Sequence, residues 1–167
     1  MDENNNLRNF IPNKLKKTYS LEDNDIEIIS SIGRNHKLKH NKTKSRAIII
    51  QSLYESDVSG KDPLDILRRN YQEKKLSKKD IEFMESLVNN FNKKKQMIND
   101  KISSKLPNKN IALFPIDKSI IQLAVVESIS SDKVNKRIII NEAVELAKYF
   151  CEDSSPKFVN GILSSLI

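Results

Sequence analysis

From Lys44 to the last residue, apolar side chains return every three or four positions, and no stretch alternates apolar with polar as a half-buried strand does. That period puts them on one stripe of an α-helix, so the core has to come from helices packed on helices. Ile49 and Leu53 lie four apart, as do Ile50 and Tyr54, and Gly60 is placed to stop the run, which predicts a first helix over 43–57. Pro63, tolerated in a first helical turn, follows Asp62, and Leu64, Leu67 and Tyr71 carry the spacing through a second helix over 62–74. Ser77 with Asp80 three later reads as a capping box with the shorter carboxylate. Behind it Ile81, Met84, Val88, Phe91, Ile98 and Ile102 keep the step except at Lys95, which predicts one long helix, or two with a break between Asn92 and Lys95, before Pro107.

Pro115 opens a further helix in which Ile116, Ile120, Leu123 and Ala124 mark one face and Ile121 and Val125 a second. So wide an apolar girth predicts a central, mostly buried helix. Ile140, Ala143, Val144, Ala147 and Phe150 then form a face opposite Glu142, Glu145 and Lys148. Ser155 and Pro156 match an N-cap and first helical position, ahead of Phe158, Val159, Ile162, Leu163 and Leu166. The chain is therefore predicted to be all-α, with six to seven helices. Ile49, Leu53, Leu87, Ile120, Leu123, Val144, Ala147, Phe158 and Ile162 are the expected core. Residues 1–42 are polar and poor in large apolar side chains, and read as an extension with one short helix over Ser20–Ile32.

The chain carries 29 Lys plus Arg against 22 Asp plus Glu, and the excess is local. Residues 1–33 sum to −2, residues 34–46 to +6 with no acidic group, and residues 47–167 to +3. A concentrated cationic stretch beside a folded domain attracts phosphate polyanions through counterion release, or else stays a solvated Lys-rich tail. The catalytic alternatives lack parts. The three glycines, Gly33, Gly60 and Gly161, are too scattered for a phosphate-cradling loop, so no cofactor is expected. His36 and His40 stand among lysines without a carboxylate or thiolate beside them. Cys151, the single cysteine, has no histidine in the domain core to activate it and excludes an intramolecular disulfide. With neither a signal peptide nor about 18 consecutive apolar residues, the expected location is the cytoplasm.

The run Ile140-Asn141-Glu142-Ala143-Val144-Glu145-Leu146-Ala147-Lys148, followed by Ser155-Pro156-Lys157-Phe158-Val159-Asn160-Gly161-Ile162-Leu163, closely resembles the C-terminal signature of the NusB transcription antitermination family. Gln51-Ser52-Leu53-Tyr54 resembles the end of that family's first helix, and Asp117 to Ile129 its central helix, so the likeness spans 43–167. The resemblance implies a bundle in two small helical subdomains and a non-enzymatic adaptor. Its partners would be single-stranded boxA RNA and NusE, a small-subunit ribosomal protein. Together they would join an RNA polymerase antitermination complex with NusA and NusG, notably on ribosomal RNA operons. Carried over by position, Lys42, Lys44, Arg46, Lys157, Phe158 and Asn160 are candidate RNA contacts, and Tyr54, Glu127 and Ser155 candidate partner contacts. Lysines take the place of part of the family's arginine run, which keeps the charge and loses the bidentate fork. Gln122, Val126 and Cys151 depart from the usual Arg, Tyr and Gly. A helical protein-binding scaffold and an accessory domain of an RNA-modifying enzyme are the competing readings.

Overall fold

The computed structural model describes residues 41–107, 112–131 and 133–167. The extension, but for its last two residues, lies outside them, and with it the expected Ser20–Ile32 helix, His36 and His40. Among the described residues six helices follow one another: α1 (Asn41–Ser59), α2 (Pro63–Tyr71), α3 (Lys78–Ser103), α4 (Pro115–Ser130), α5 (Lys136–Phe150) and α6 (Ser155–Leu166). No strand occurs among them.

Local chemistry accounts for most of the ends. Gly60, at φ 71°, takes the left-handed conformation that side chains resist, and its N–H donates to Ser56 O at 2.9 Å to close α1. Asp62 caps α2, accepting from Leu64 N at 2.8 Å and Asp65 N at 3.3 Å, with Pro63 in the first turn. Ser77 caps α3 by accepting from Asp80 N at 3.2 Å, while its own hydroxyl donates to Asp80 Oδ2 at 2.6 Å. α3 then runs unbroken for 26 residues, with Lys93, Lys94 and Lys95 on its exposed side, so the gap at Lys95 is a solvent-facing turn inside one helix.

α4 is the hub. Residues 119–127 are buried without interruption, because α1, α3, α5 and α6 all pack around it. Helices before and after it in the chain thus close over α4. α1 is wrapped almost as fully, with Ile48, Ile49, Ile50 and Leu53 buried. Its buried Ser52 avoids an unsatisfied hydroxyl by donating to Ile48 O at 2.8 Å.

Two expected core positions shift. On α5 the buried face is Ile139, Ala143, Leu146, Ala147 and Phe150, and Val144 is only half-buried. Three consecutive isoleucines, Ile138 to Ile140, offered two registers, and packing on α4 and α6 selects the one led by Ile139. On α6 the stripe is Val159, Ile162, Leu163 and Leu166, with Phe158 half-buried at its edge. Ser155 is not the N-cap but the first helical residue, and its hydroxyl is used elsewhere.

Candidate nucleic-acid interface

The start of α1 carries the charge on which a nucleic-acid reading depends, and helical geometry splits its three basic residues. Lys42 and Arg46, four apart, share a face, whereas Lys44 points to another. Lys42 is exposed, Lys44 half-buried and Arg46 only 6% exposed. Arg46 donates through Nε to Glu127 Oε2 at 2.9 Å and through Nη2 to Glu127 Oε1 at 2.5 Å, a two-pronged grip on one carboxylate. Its Nη1 reaches Glu142 Oε2 at 3.2 Å, an oxygen that also accepts from Thr43 Oγ1 at 2.8 Å. One network therefore ties α1 to α4 and α5.

Burial works against the Arg46 charge, but the hydrogen bond and charge of Glu127, together with the charge of Glu142, outweigh it and leave the Arg46 pKa raised. Apolar walls of Ile50, Leu123, Ile139 and Ala143 surround the pair. Two of the candidates are thereby brought together. Arg46 is turned inward onto carboxylates. Glu127, 4% exposed, is paired with it within the domain. A carboxylate on an apolar stripe must find a buried cation or a wet edge, and Arg46 is that cation.

Lys42 and Arg46 also share an aromatic neighbour. Lys42 Nζ lies 5.8 Å, and Arg46 Cζ 5.6 Å, from the ring centroid of Phe83, a half-buried residue in the second turn of α3. Neither Phe83, Thr43 nor Glu142 was a sequence-derived candidate. Thr43 lies on α1 itself, and the contacts that bring Phe83 and Glu142 to α1 span dozens of residues, which no local spacing encodes.

The second group of candidates sits at the start of α6. Lys157 and Asn160 are exposed and Phe158 half-buried. Ser155 is buried, and its hydroxyl donates to Asp117 Oδ2 at 3.1 Å, which ties α6 to the first turn of α4. The N-terminal end of α4 suits that carboxylate, although Asp117 Oδ1 is buried with no hydrogen-bond partner among the described residues. Burial first, and then the neighbouring Asp117, hold the half-buried Cys151 thiol well above its ordinary pKa. Tyr54 is half-buried on α1, its phenol pushed up by desolvation. Asp117 and Glu127, which anchor the starts of α6 and α1, are ten residues apart on α4, about 15 Å along the helix. Of the departures from the family pattern, Gln122 is buried and donates to Asn99 Oδ1 at 2.8 Å, bracing α4 on α3.

The sequence profile of the NusB family matches residues 43–167, the whole helical region. The chain belongs to the NusB family. A transcription antitermination protein NusB of Dehalococcoides mccartyi (strain CBDB1) is 37% identical over 128 residues, covering 75% of this chain and 88% of the relative. The NusB of Bacillus pumilus (strain SAFR-032) is 33% identical over 123 residues, covering 73% and 91%. Among solved structures, a T. maritima NusB superposes with a TM-score of 0.69 at 27% identity, covering 77% of this chain and 92% of that one. A complex described as antitermination factors NusB and NusE with dsRNA shares the fold, with a TM-score of 0.67 at 23% identity and coverage of 75% and 95%. No helix among the described residues is long and apolar enough to cross a membrane.

Proposed function

We propose that this NusB-family chain is a transcription antitermination factor that binds boxA-type RNA together with NusE and joins an antitermination assembly on RNA polymerase, without a catalytic step of its own. The observation that carries this reading is the match of the whole helical domain to the family, with NusB antitermination proteins as its relatives. The structure supplies surfaces that suit the role. Lys42, Lys44 and Lys157 have no carboxylate partner among the described residues, which leaves their charges for phosphates. Phe158 and Asn160 stand beside Lys157, where an aromatic edge and an amide suit unstacked bases. Tyr54, amphipathic and half-buried, is with Glu127 and Ser155 a candidate for the NusE surface. Catalysis has little to draw on here, because a thiol kept protonated by burial is a poor nucleophile.

The test is a titration of single-stranded boxA RNA, and of the corresponding duplex, against the full chain with and without NusE over a range of salt. Binding that tightens with NusE and weakens with salt is the expected result. Removing Lys42 and Lys44 together lowers the log–log slope by about 1.4, at about 0.7 per single-strand phosphate contact. NusE binding with no RNA affinity in any arm would instead make the chain a protein scaffold.

A further inference from the structure

The ring of Phe83 sits where two helices bring two cations together, and the two cations are not equivalent. Arg46 is neutralised by Glu127 and braced by Glu142. Lys42 has no carboxylate partner among the described residues, and it occupies the first turn of α1, where the positive end of the helix dipole disfavours an ammonium and that turn holds no acidic residue of its own. The compensation comes from the Phe83 ring, whose electron-rich face attracts the ammonium 5.8 Å from its centroid. Arg46, 5.6 Å from the same centroid, is held by its two carboxylates, so the ring it packs on is itself held in register.

From this geometry we infer that Phe83 is a positioning residue for RNA binding: it holds the Lys42 ammonium at the start of α1 in the place where it meets a phosphate. This rests on the RNA-binding reading above. A free lysine loses much rotamer freedom when it is immobilised on a phosphate, and a lysine already resting on a ring has less to lose. The buried network of Arg46, Glu127, Glu142 and Thr43 acts one step further back, fixing α1 against α4 and α5. Phe83 is therefore the link between the rigid interior and the exposed cation.

A double-mutant cycle in the full chain with NusE, read by RNA affinity across salt, tests this. Phe83→Leu is expected to weaken RNA binding about two- to five-fold, the scale of an exposed cation–π contact, and Phe83→Tyr to retain it. In a Lys42→Ala background Phe83→Leu should have no further effect. Lys94→Ala, an exposed charge about 16 Å further along α3, serves as the control for bulk charge. An equal loss with and without Lys42 would overturn the inference, by showing that the ring packs the core or stacks on a base directly. So would wild-type affinity in Phe83→Leu. If the wild-type chain shows no salt-dependent RNA binding with NusE, the functional reading fails and this inference with it; salt-dependent binding indifferent to Phe83 defeats this inference alone. A readout independent of folding variants is the wild-type NMR spectrum, in which the Lys42 ε-methylene should show a ring-current shift. Its absence would also overturn the proposal.

Discussion

Two arginine clusters in this molecule use the same chemistry in different surroundings. On α2, Arg68 Nε reaches Glu85 Oε1 at 2.8 Å and Arg69 Nη2 reaches Glu55 Oε2 at 2.5 Å, and both guanidiniums are about half exposed. On α1, Arg46 makes bonds of similar length to Glu127, but with both partners buried. In the α2 pairs the guanidiniums stay half in water, although the Glu55 side chain is only 13% exposed, so these pairs add less. The buried pair has been taken out of water, and each charge depends on the other to remain there. Distance alone does not separate the two, and burial does.

The largest expected effect is therefore at Glu127. Glu127→Ala leaves the Arg46 guanidinium buried with only Glu142, and should cost about 3–5 kcal/mol, read as a fall in the urea midpoint at unchanged m-value. Charge reversal there would be at least as damaging, so lost NusE binding in Glu127→Lys would report a damaged fold and not a lost contact. An unchanged midpoint would break the contrast drawn between the clusters. Arg69→Ala, by comparison, should change stability by about 0–1 kcal/mol. A loss comparable to that of Glu127→Ala would mean that exposure is a poor guide to the worth of these pairs.

The smallest effect under ordinary conditions concerns Cys151, a half-buried group held neutral where Arg46 is a buried group held charged. Burial raises its folded pKa above the ordinary thiol value of 9.0, so the folded state keeps its proton longer than the unfolded chain does. The associated stability is fully present below about pH 9 and is lost as the pH climbs toward the raised value. Replacing Cys151 with Ser should flatten that alkaline decline, and alkylation of the native thiol at pH 8 should be much slower than in urea-unfolded chain. Equal alkylation rates would show that the thiol is not desolvated.

Much of the helical layout was legible in the chain, because caps and stops are local. Gly60, Asp62, Pro63, Ser77 and Pro115 each act within a turn of themselves, and each marks an observed end. The central place of α4 was legible too, since a helix with apolar residues all round has nowhere else to go. The face of α5 was not, because Ile138, Ile139 and Ile140 satisfy either register and only the neighbouring helices discriminate. The candidate site was legible as a set of residue types, but not the contacts those residues make with one another. Arg46 pairs with Glu127 and Ser155 with Asp117 across the packed helices, which no local spacing encodes. Phe83 carried no signal, since an aromatic at helical spacing is ordinarily just core.

By itself the sequence determined that the domain is helical, where most helices begin and end, and which family it belongs to, because these depend on residues within a few turns of one another. Tertiary structure decided which charges are spent within the protein and which are left for a partner. Lys42 and Arg46 are one helical turn apart with like charge, and only the approach of Glu127, 81 residues on from Arg46, turns one inward and leaves the other on the surface. A charge's availability is set by the dielectric and the counter-charges around it, and these exist only once the helices have packed.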